Sequence, residues 1–405
     1  MINAAVMGYG TVGSGVVEVL TTNKEVISRR AGDEINVKYV LDIRDFPGDP
    51  VQEKIIHDFE VILNDPEIQI VAEVMGGIEP AYTFVKECLN AGKSVVTSNK
   101  ALVAKHGAEL LSIAEKKGIN FLYEASVGGG IPIIRALNSC LTADVIEEIT
   151  GILNGTTNYM LSKMFYEGAG YDDVLREAQD NGYAERNPEA DVEGYDACRK
   201  IAILSSMISG KRVDFEDIYT EGITKITTED MKYAKAMGMT IKLLASAQRE
   251  GDRIEAIVAP ALLGAAHPLY SVNDVFNAVF VRGNMLGDAM FYGSGAGKLP
   301  TASAVVADIV DAAKNSARST MTVWSEDKLD LLPREDSLRK FFVRVKGDPD
   351  AEKEKLDQIF GPVQIVRAPG LEDEFGFVTE KMSEGSYEEK AERLGNILHM
   401  IRVEE

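Results

Sequence analysis

Ile2-Asn-Ala-Ala-Val-Met-Gly8-Tyr-Gly10-Thr-Val-Gly13 is the stretch that decides the fold. An apolar run of strand length ends in G-x-G-x-x-G, and an amphipathic segment carrying Val16, Val17 and Leu20 follows. Strand, glycine turn and helix in that order form the dinucleotide-binding fingerprint in its proper context. Gly8 permits the tight turn, Gly10 lets the backbone approach a pyrophosphate, and Gly13 lets helix and strand pack closely. Thr11 and Val12 open the helix, whose N–H groups and dipole suit phosphates. Turns elsewhere also use glycine, so the motif alone is weak. Here it starts at residue 8 and heads a series of βα units, which makes cofactor binding the expectation.

Working outward, a second strand at 37–41 ends in Asp42-Ile-Arg44. An acid at that point binds ribose hydroxyls and favours NAD, whereas an arginine favours the 2′-phosphate of NADP. Both are present, so the preference stays open between NADP and NAD, with a lean to NADP through Arg44. A strand at 70–74 ends in Met75-Gly76-Gly77, a helix covers 80–90, and a strand at 94–97 ends in Ser98-Asn99-Lys100. A helix over 101–117 and a strand over 119–123 complete the series. Alternation of this kind predicts a parallel sheet, with ligands beyond the carboxyl ends of its strands. Gly8, Gly76, Ser98 and Lys100 all lie there. A solvated loop lysine is the plain reading of Lys100; its address makes a cofactor or substrate contact the better one.

Glu124-Ala-Ser-Val-Gly-Gly-Gly-Ile-Pro132 leaves the sheet. Three consecutive glycines suit either a flexible crossover or a loop whose carbonyls turn inward, to a cation or toward the nicotinamide. Beyond it the βα alternation stops. A strand at 149–153 runs into Asn154-Gly-Thr-Thr-Asn158, where Thr156 and Thr157 read as helix-capping hydroxyls rather than cofactor contacts. An acid-rich stretch, Gly182 to Asp196, then precedes Lys200. Asp196 and Lys200 share a helix face four residues apart, at the margin of an apolar stripe. Taken alone they read as a surface ion pair worth roughly 0.2–0.5 kcal/mol. Strands at 241–248, 254–263 and 278–291 predict an open mixed or antiparallel sheet. The turn Gly293–Gly297 opens a helix over 302–313, another N-terminus able to face a phosphate. After a polar connector, 341–403 reads βαββαβ, the ferredoxin-like order.

Composition narrows the classes. At 405 residues, with 45% hydrophobic and 26% charged, the chain is an ordinary globular protein of two or three domains. A net charge of −21 argues against nucleic acid or an anionic membrane as a general partner. No apolar run reaches the roughly 18 residues of a membrane span, and the N-terminus reads as a strand, not a signal peptide. Three scattered cysteines and four histidines give a zinc site little support and suit a cytoplasmic chain with free thiols.

These pieces resemble homoserine dehydrogenase. The matching motifs are Gly8-x-Gly10-Thr-Val-Gly13, Thr97-Ser-Asn-Lys100, Glu124 to Pro132, Ile152-Leu-Asn-Gly-Thr-Thr-Asn158, and Gly182-Tyr-Ala-Glu185…Asp191…Asp196-x-x-x-Lys200, in the right order over about residues 1 to 320. The resemblance implies NAD(P)-dependent interconversion of L-aspartate 4-semialdehyde and L-homoserine. It implies that Lys200 is the proton donor, that Lys100 sits beside cofactor and substrate, and that Glu185 and Asp196 hold the substrate with Asp191 in support. Gly182 and Gly297 would touch the cofactor. Glu124, Val127, Gly129 and Ile131 would offer backbone oxygens to a monovalent cation such as sodium. The chemistry agrees: hydride delivered to an aldehyde leaves charge on oxygen, and an ammonium can stabilise it and supply the proton. The tail resembles an ACT domain, for which threonine is the expected effector and an unliganded dimerisation module the alternative. The expected fold is therefore α/β: a Rossmann-type parallel sheet (1–130), an α+β catalytic and dimerisation domain with an open mixed sheet (131–320), and a ferredoxin-like ACT module (337–405). A homodimer is the default, raised by the tail to a homotetramer. A related amino-acid dehydrogenase and a non-catalytic NAD(P)-binding sensor are the competing readings.

Overall fold

Ala4, Ala5, Val6 and Met7 are all fully buried, as a strand covered on both faces requires. In the computed structural model, which describes residues 1–251 and 253–404, Ile2–Met7 pairs in parallel with Ile35–Leu41 on one side and Ile68–Glu73 on the other. The sheet runs Ile55–Ile56, Ile35–Leu41, Ile2–Met7, Ile68–Glu73, Ser94–Thr97, Phe121–Leu122, with the first strand central. That is the doubly wound dinucleotide-binding order. Its outermost strand, Ile55–Ile56, was not legible in sequence, because two residues carry no periodicity. Helix Lys100–Lys117 starts on Asn99, whose Oδ1 accepts the Leu102 N–H at 3.1 Å, and stops at Gly118 in the left-handed region.

The chain forms two compact units, both discontinuous in sequence: Met1–Val145, Ala202–Phe215 and Phe291–Leu329 in the first, and Ile146–Ile201, Glu216–Met290 and Asp330–Glu405 in the second. The boundaries expected at 130/131 and 320/337 do not coincide with these. The largest difference is helix Lys298–Lys314, expected in the middle domain. Its Ala302, Val305 and Ile309 enter the first unit's core beside Val16 and Leu20. Gly15 makes this fit possible, since a Cβ there would lie 2.9 Å from that of Ala302. Sequence order alone does not reveal which core an amphipathic helix joins.

The second unit is built on a mixed sheet running Phe276–Gly283, Ile146–Ile152, Met239–Glu250, Arg253–Gly264, Ile397–Glu404, Leu338–Lys346, Glu374–Val378, Gln364–Val366. Its longest antiparallel pair, Met239–Glu250 with Arg253–Gly264, is buried along most of its length. The tail's four strands stand in the order fourth, first, third, second, all antiparallel, with helices Pro349–Phe360 and Glu384–Leu394 between them. This is the ferredoxin-like topology. The tail is not a separate sheet. Ile397–Glu404 pairs in parallel with Arg253–Gly264, so tail and middle share one sheet. Ion pairs of buried tail arginines cross the join: Arg402 with Glu221, Arg344 with Asp230 and Arg339 with Glu255.

Candidate active site

In the first unit, the three glycines of the fingerprint have three separate geometric reasons. Gly8 has φ +98°, which L side chains rarely adopt. A Cβ at Gly13 would sit 1.9 Å from the Gly8 carbonyl oxygen, so helix and strand could not close. A Cβ at Gly10 would meet nothing within 4 Å, so this glycine faces open space where a ligand backbone can approach. Gly10 also heads helix Thr11–Thr22 with no side-chain cap, leaving the first N–H groups of Thr11 and Val12 for a phosphate. These features fit a dinucleotide.

At the end of Ile35–Leu41, Asp42 accepts the Tyr9 N–H at 2.8 Å and is gripped by Arg44 through Nε at 3.0 Å and Nη2 at 3.1 Å. The guanidinium holds this carboxyl down to about 2. Asp42 therefore orients Arg44, and the two residues that pointed to opposite cofactors form one unit. Beyond the next two strands, buried Glu73 accepts the Met75 N–H at 2.9 Å and the Thr97 hydroxyl at 2.6 Å. Asn99 in turn donates to the Gly77 carbonyl. This network fixes the turns carrying Gly76, Ser98 and Lys100. Glu73, whose carboxyl burial pushes up, was missed in sequence because it sits inside an apolar strand.

The triple-glycine loop is closely packed. A Cβ at Gly129, φ +57°, would lie 2.3 Å from the Gly295 oxygen, and Gly130 N–H donates to the Ser294 carbonyl at 3.0 Å. The Glu124 carboxylate accepts the N–H groups of Ile134 and Arg135, and the Ile131 carbonyl accepts Ile133 N–H at 2.9 Å. Glu124 N–H donates to Asp308, which Arg135 also pairs at 2.6 Å. Burial and the Glu124 charge push Asp308 up to about 8. Gly297, φ +116°, then starts helix Lys298–Lys314 without a side-chain cap.

In the second unit, Asp196 and Lys200, on the first part of helix Tyr195–Ser209, come together inside the protein, not on its surface. Lys200 Nζ donates to Asp196 Oδ2 at 2.7 Å and to the Leu153 carbonyl at 2.7 Å. Lys200 is 8% exposed and Asp196 4%. The surface-pair reading is thus overturned: apolar neighbours on the same helix carried both side chains inward. Asn154, at the start of helix Gly155–Glu167, donates to Asp191 at 2.8 Å and to Asp196 at 3.0 Å. It is also the helix cap, accepting Thr157 N–H at 2.9 Å. The expected capping by Thr156 and Thr157 is corrected accordingly: Thr156 Oγ1 donates to the Tyr183 carbonyl, tying this helix to the Gly182–Glu185 turn. An asparagine before Gly-Thr-Thr was the available signal. Gly182 takes φ +74°, and Glu185 lies exposed beside it. The structure joins Lys200 to Asp196 directly and Asp196 to Asp191 through Asn154, and leaves Glu185 and Glu189 exposed. Chemically, this is a buried ammonium held by a carboxylate and a backbone carbonyl, suited to hold or release a proton at a defined point.

Comparison with known proteins bears directly on this geometry. Residues 8–124 match the family model for the NAD-binding domain of homoserine dehydrogenase, and residues 132–310 match that for homoserine dehydrogenase itself. A curated homoserine dehydrogenase of Bacillus subtilis is 44% identical over 318 residues, covering 78% of this chain and 73% of that one. The chain belongs to the homoserine dehydrogenase family. A relative from Mycobacterium bovis is 45% identical over 324 residues, covering 78% of this chain and 73% of its own. The crystal structure of a homoserine dehydrogenase from Thiobacillus denitrificans superposes with a TM-score of 0.92 at 38% identity, covering 100% of this chain and 98% of that one. A hyperthermophilic archaeal homoserine dehydrogenase in complex with NADPH gives 0.66 at 28% identity, covering 77% of this chain and 97% of that one. As a homoserine dehydrogenase, the protein is an NAD(P)-dependent oxidoreductase that interconverts L-aspartate 4-semialdehyde and L-homoserine. No helix among the described residues is long and apolar enough to cross a membrane.

Proposed function

We propose that Lys200 is the proton donor of this homoserine dehydrogenase, with Asp196 as its counter-charge. The observation that carries this is the buried Lys200 Nζ, 2.7 Å from Asp196 Oδ2. The bound nicotinamide supplies hydride in reduction and takes it in oxidation. As charge develops on the substrate oxygen, the ammonium stabilises it and donates the proton. Exposed Glu185 clamps the substrate's amino group with Asp196, and Asp191 supports them. Lys100, the first residue of helix Lys100–Lys117, serves as the second lysine of the reaction.

The dinucleotide contacts assigned are Gly8, Gly10, Thr11, Val12, Gly13, Gly76, Ser98, Lys100, Gly182 and Gly297. Arg44, fixed by Asp42, favours NADP. Backbone oxygens of Glu124, Val127, Gly129 and Ile131 are assigned to a sodium-like cation. The tight approach of Gly129 to Gly295 supports a fixed loop of the kind such an ion needs. The ferredoxin-like tail is read as an ACT-type module responding to threonine, in a homodimer or homotetramer of the cytoplasm.

A steady-state assay of homoserine oxidation with NADP and with NAD, each with and without threonine, tests this reading. NADP is expected to be preferred and threonine to inhibit. Glu185→Gln should raise the KM for homoserine about tenfold or more, as loss of a charge-assisted contact does. An unchanged KM would remove Glu185 from the substrate site.

A further inference from the structure

Among the buried polar groups of the second unit, Asn154 touches both carboxylates of the Lys200 cluster, Asp191 and Asp196. Asn154 spends its whole hydrogen-bonding capacity on three different elements. Its Oδ1 accepts the N–H of Thr157 at 2.9 Å and the Thr157 hydroxyl at 3.0 Å, starting helix Gly155–Glu167. Its Nδ2 donates to Asp191 Oδ1 at 2.8 Å, on the short helix Glu189–Val192. The same Nδ2 donates to Asp196 Oδ2 at 3.0 Å, on helix Tyr195–Ser209. The amide orientation follows from its partners, since a backbone N–H can only donate and an ionised carboxylate can only accept. The oxygen shared by Asn154 Nδ2 and Lys200 Nζ is one and the same, Asp196 Oδ2.

We infer that Asn154 is a positioning residue for the reaction: its amide aims Asp196 Oδ2 at Lys200 and holds the neighbouring Asp191 carboxylate in place. This rests on the assignment of Lys200 and Asp196 above. A neutral donor is what the position needs. Two carboxylates approach the same point, and a third acid there would repel both. An alcohol would keep the cap but could not span both carboxylates. Asparagine also has the reach and the preference for a helix N-cap, so one residue does both tasks. The charged groups facing it are Asp191, Asp196 and, through Asp196, Lys200.

Two variants separate the cap from the bridge. Asn154→Ser keeps a good capping oxygen and loses the bridging amide. Asn154→Asp is nearly isosteric, keeps the cap and places a third carboxylate in the cluster. For Asn154→Ser we expect turnover of homoserine to fall about 10- to 100-fold, with NADPH affinity by fluorescence titration unchanged. For Asn154→Asp we expect a larger loss at about pH 9 that recovers in part toward about pH 6, where a protonated acid again donates. A helix cap alone would not produce that pH-dependent recovery. Turnover of Asn154→Ser within threefold of the parent, or a pH profile of Asn154→Asp that superimposes on the parent's, overturns the inference. Should the serine variant fail to fold, the aspartate variant's profile decides. Lys200→Ala, assayed in parallel, separates the two readings. If it is inactive while Asn154→Ser behaves as the parent, only the positioning role falls. If Lys200→Ala turns over normally, the assignment beneath it falls too.

Discussion

Two lysines are buried in the second unit, and they are held in opposite ways. Lys200 meets a carboxylate, that of Asp196, and the Leu153 carbonyl. Lys242, on strand Met239–Glu250 and 1% exposed, meets only neutral oxygens: Asn158 Oδ1 at 3.1 Å, the Val272 carbonyl at 2.5 Å and Asn273 Oδ1 at 3.0 Å. An ammonium has three donors, so Lys242 has none left for a substrate. Burial lowers its pKa to about 8, which Asp274 only partly offsets. Asn158 continues the pattern, donating to the carbonyls of Val272, Asp274 and Phe276. Lys242 is a pin that fastens the 272–276 loop to helix Gly155–Glu167. Lys200, four residues from its counter-charge on the same helix, is the group to which the proposed reading gives proton transfer. Burial of a lysine therefore says little about its role; the charge of its acceptors says more.

The sharpest way to break this contrast is to give Lys200 the surroundings of Lys242. Asp196→Asn replaces its carboxylate with a neutral oxygen, and turnover should fall about 10²- to 10³-fold. Retained turnover would mean that counter-charge is irrelevant to the role. Lys242→Met should do the reverse, because it strands three buried acceptors. We expect a loss of about 2–4 kcal/mol of unfolding free energy in urea titrations, while folded enzyme keeps its turnover within about threefold.

Lys242 also sets a pH dependence of stability. Its folded pKa of about 8 lies below the ordinary 10.5, so between those values the unfolded chain binds more protons and stability rises with pH. The unfavourable contribution is fully present below about pH 8 and vanishes above about pH 10.5. Relative to Lys242→Met, the parent should gain about 2 kcal/mol between about pH 7.5 and about pH 9.5, read as the difference in urea midpoints. No difference would mean that the pin is charged at no cost. The smallest effect concerns the first unit: Arg44→Ala should raise the KM for NADPH several-fold while leaving that for NADH nearly unchanged.

How much of this was legible in sequence follows from the range of the interactions. The parallel sheet could be read because each βα unit is local, and Gly8 to Gly13 states its own geometry. The tail's βαββαβ order was legible for the same reason. Its fusion to Arg253–Gly264 was not, because a strand does not announce its edge partner. Lys200 and Asp196 looked like a surface pair until their motif was set beside its relatives, since i,i+4 spacing is the same inside and outside. Asn154, Glu73, Asp308 and Lys242 escaped because each is a polar residue whose partners lie far along the chain: Asn154 reaches Asp196 across 42 residues, and Glu124 reaches Asp308 across 184. Asp308, within the apolar run of helix Lys298–Lys314, was a signal of burial, though not of its partner.

The central claim is that Lys200 carries the proton while the dinucleotide is held elsewhere. Lys200→Ala, measured for NADPH binding by fluorescence and for homoserine oxidation at saturating cofactor, tests it most directly. The account predicts NADPH affinity within about threefold of the parent and turnover reduced by about 10²-fold or more. Turnover retained within tenfold, or NADPH binding lost together with turnover, would contradict it.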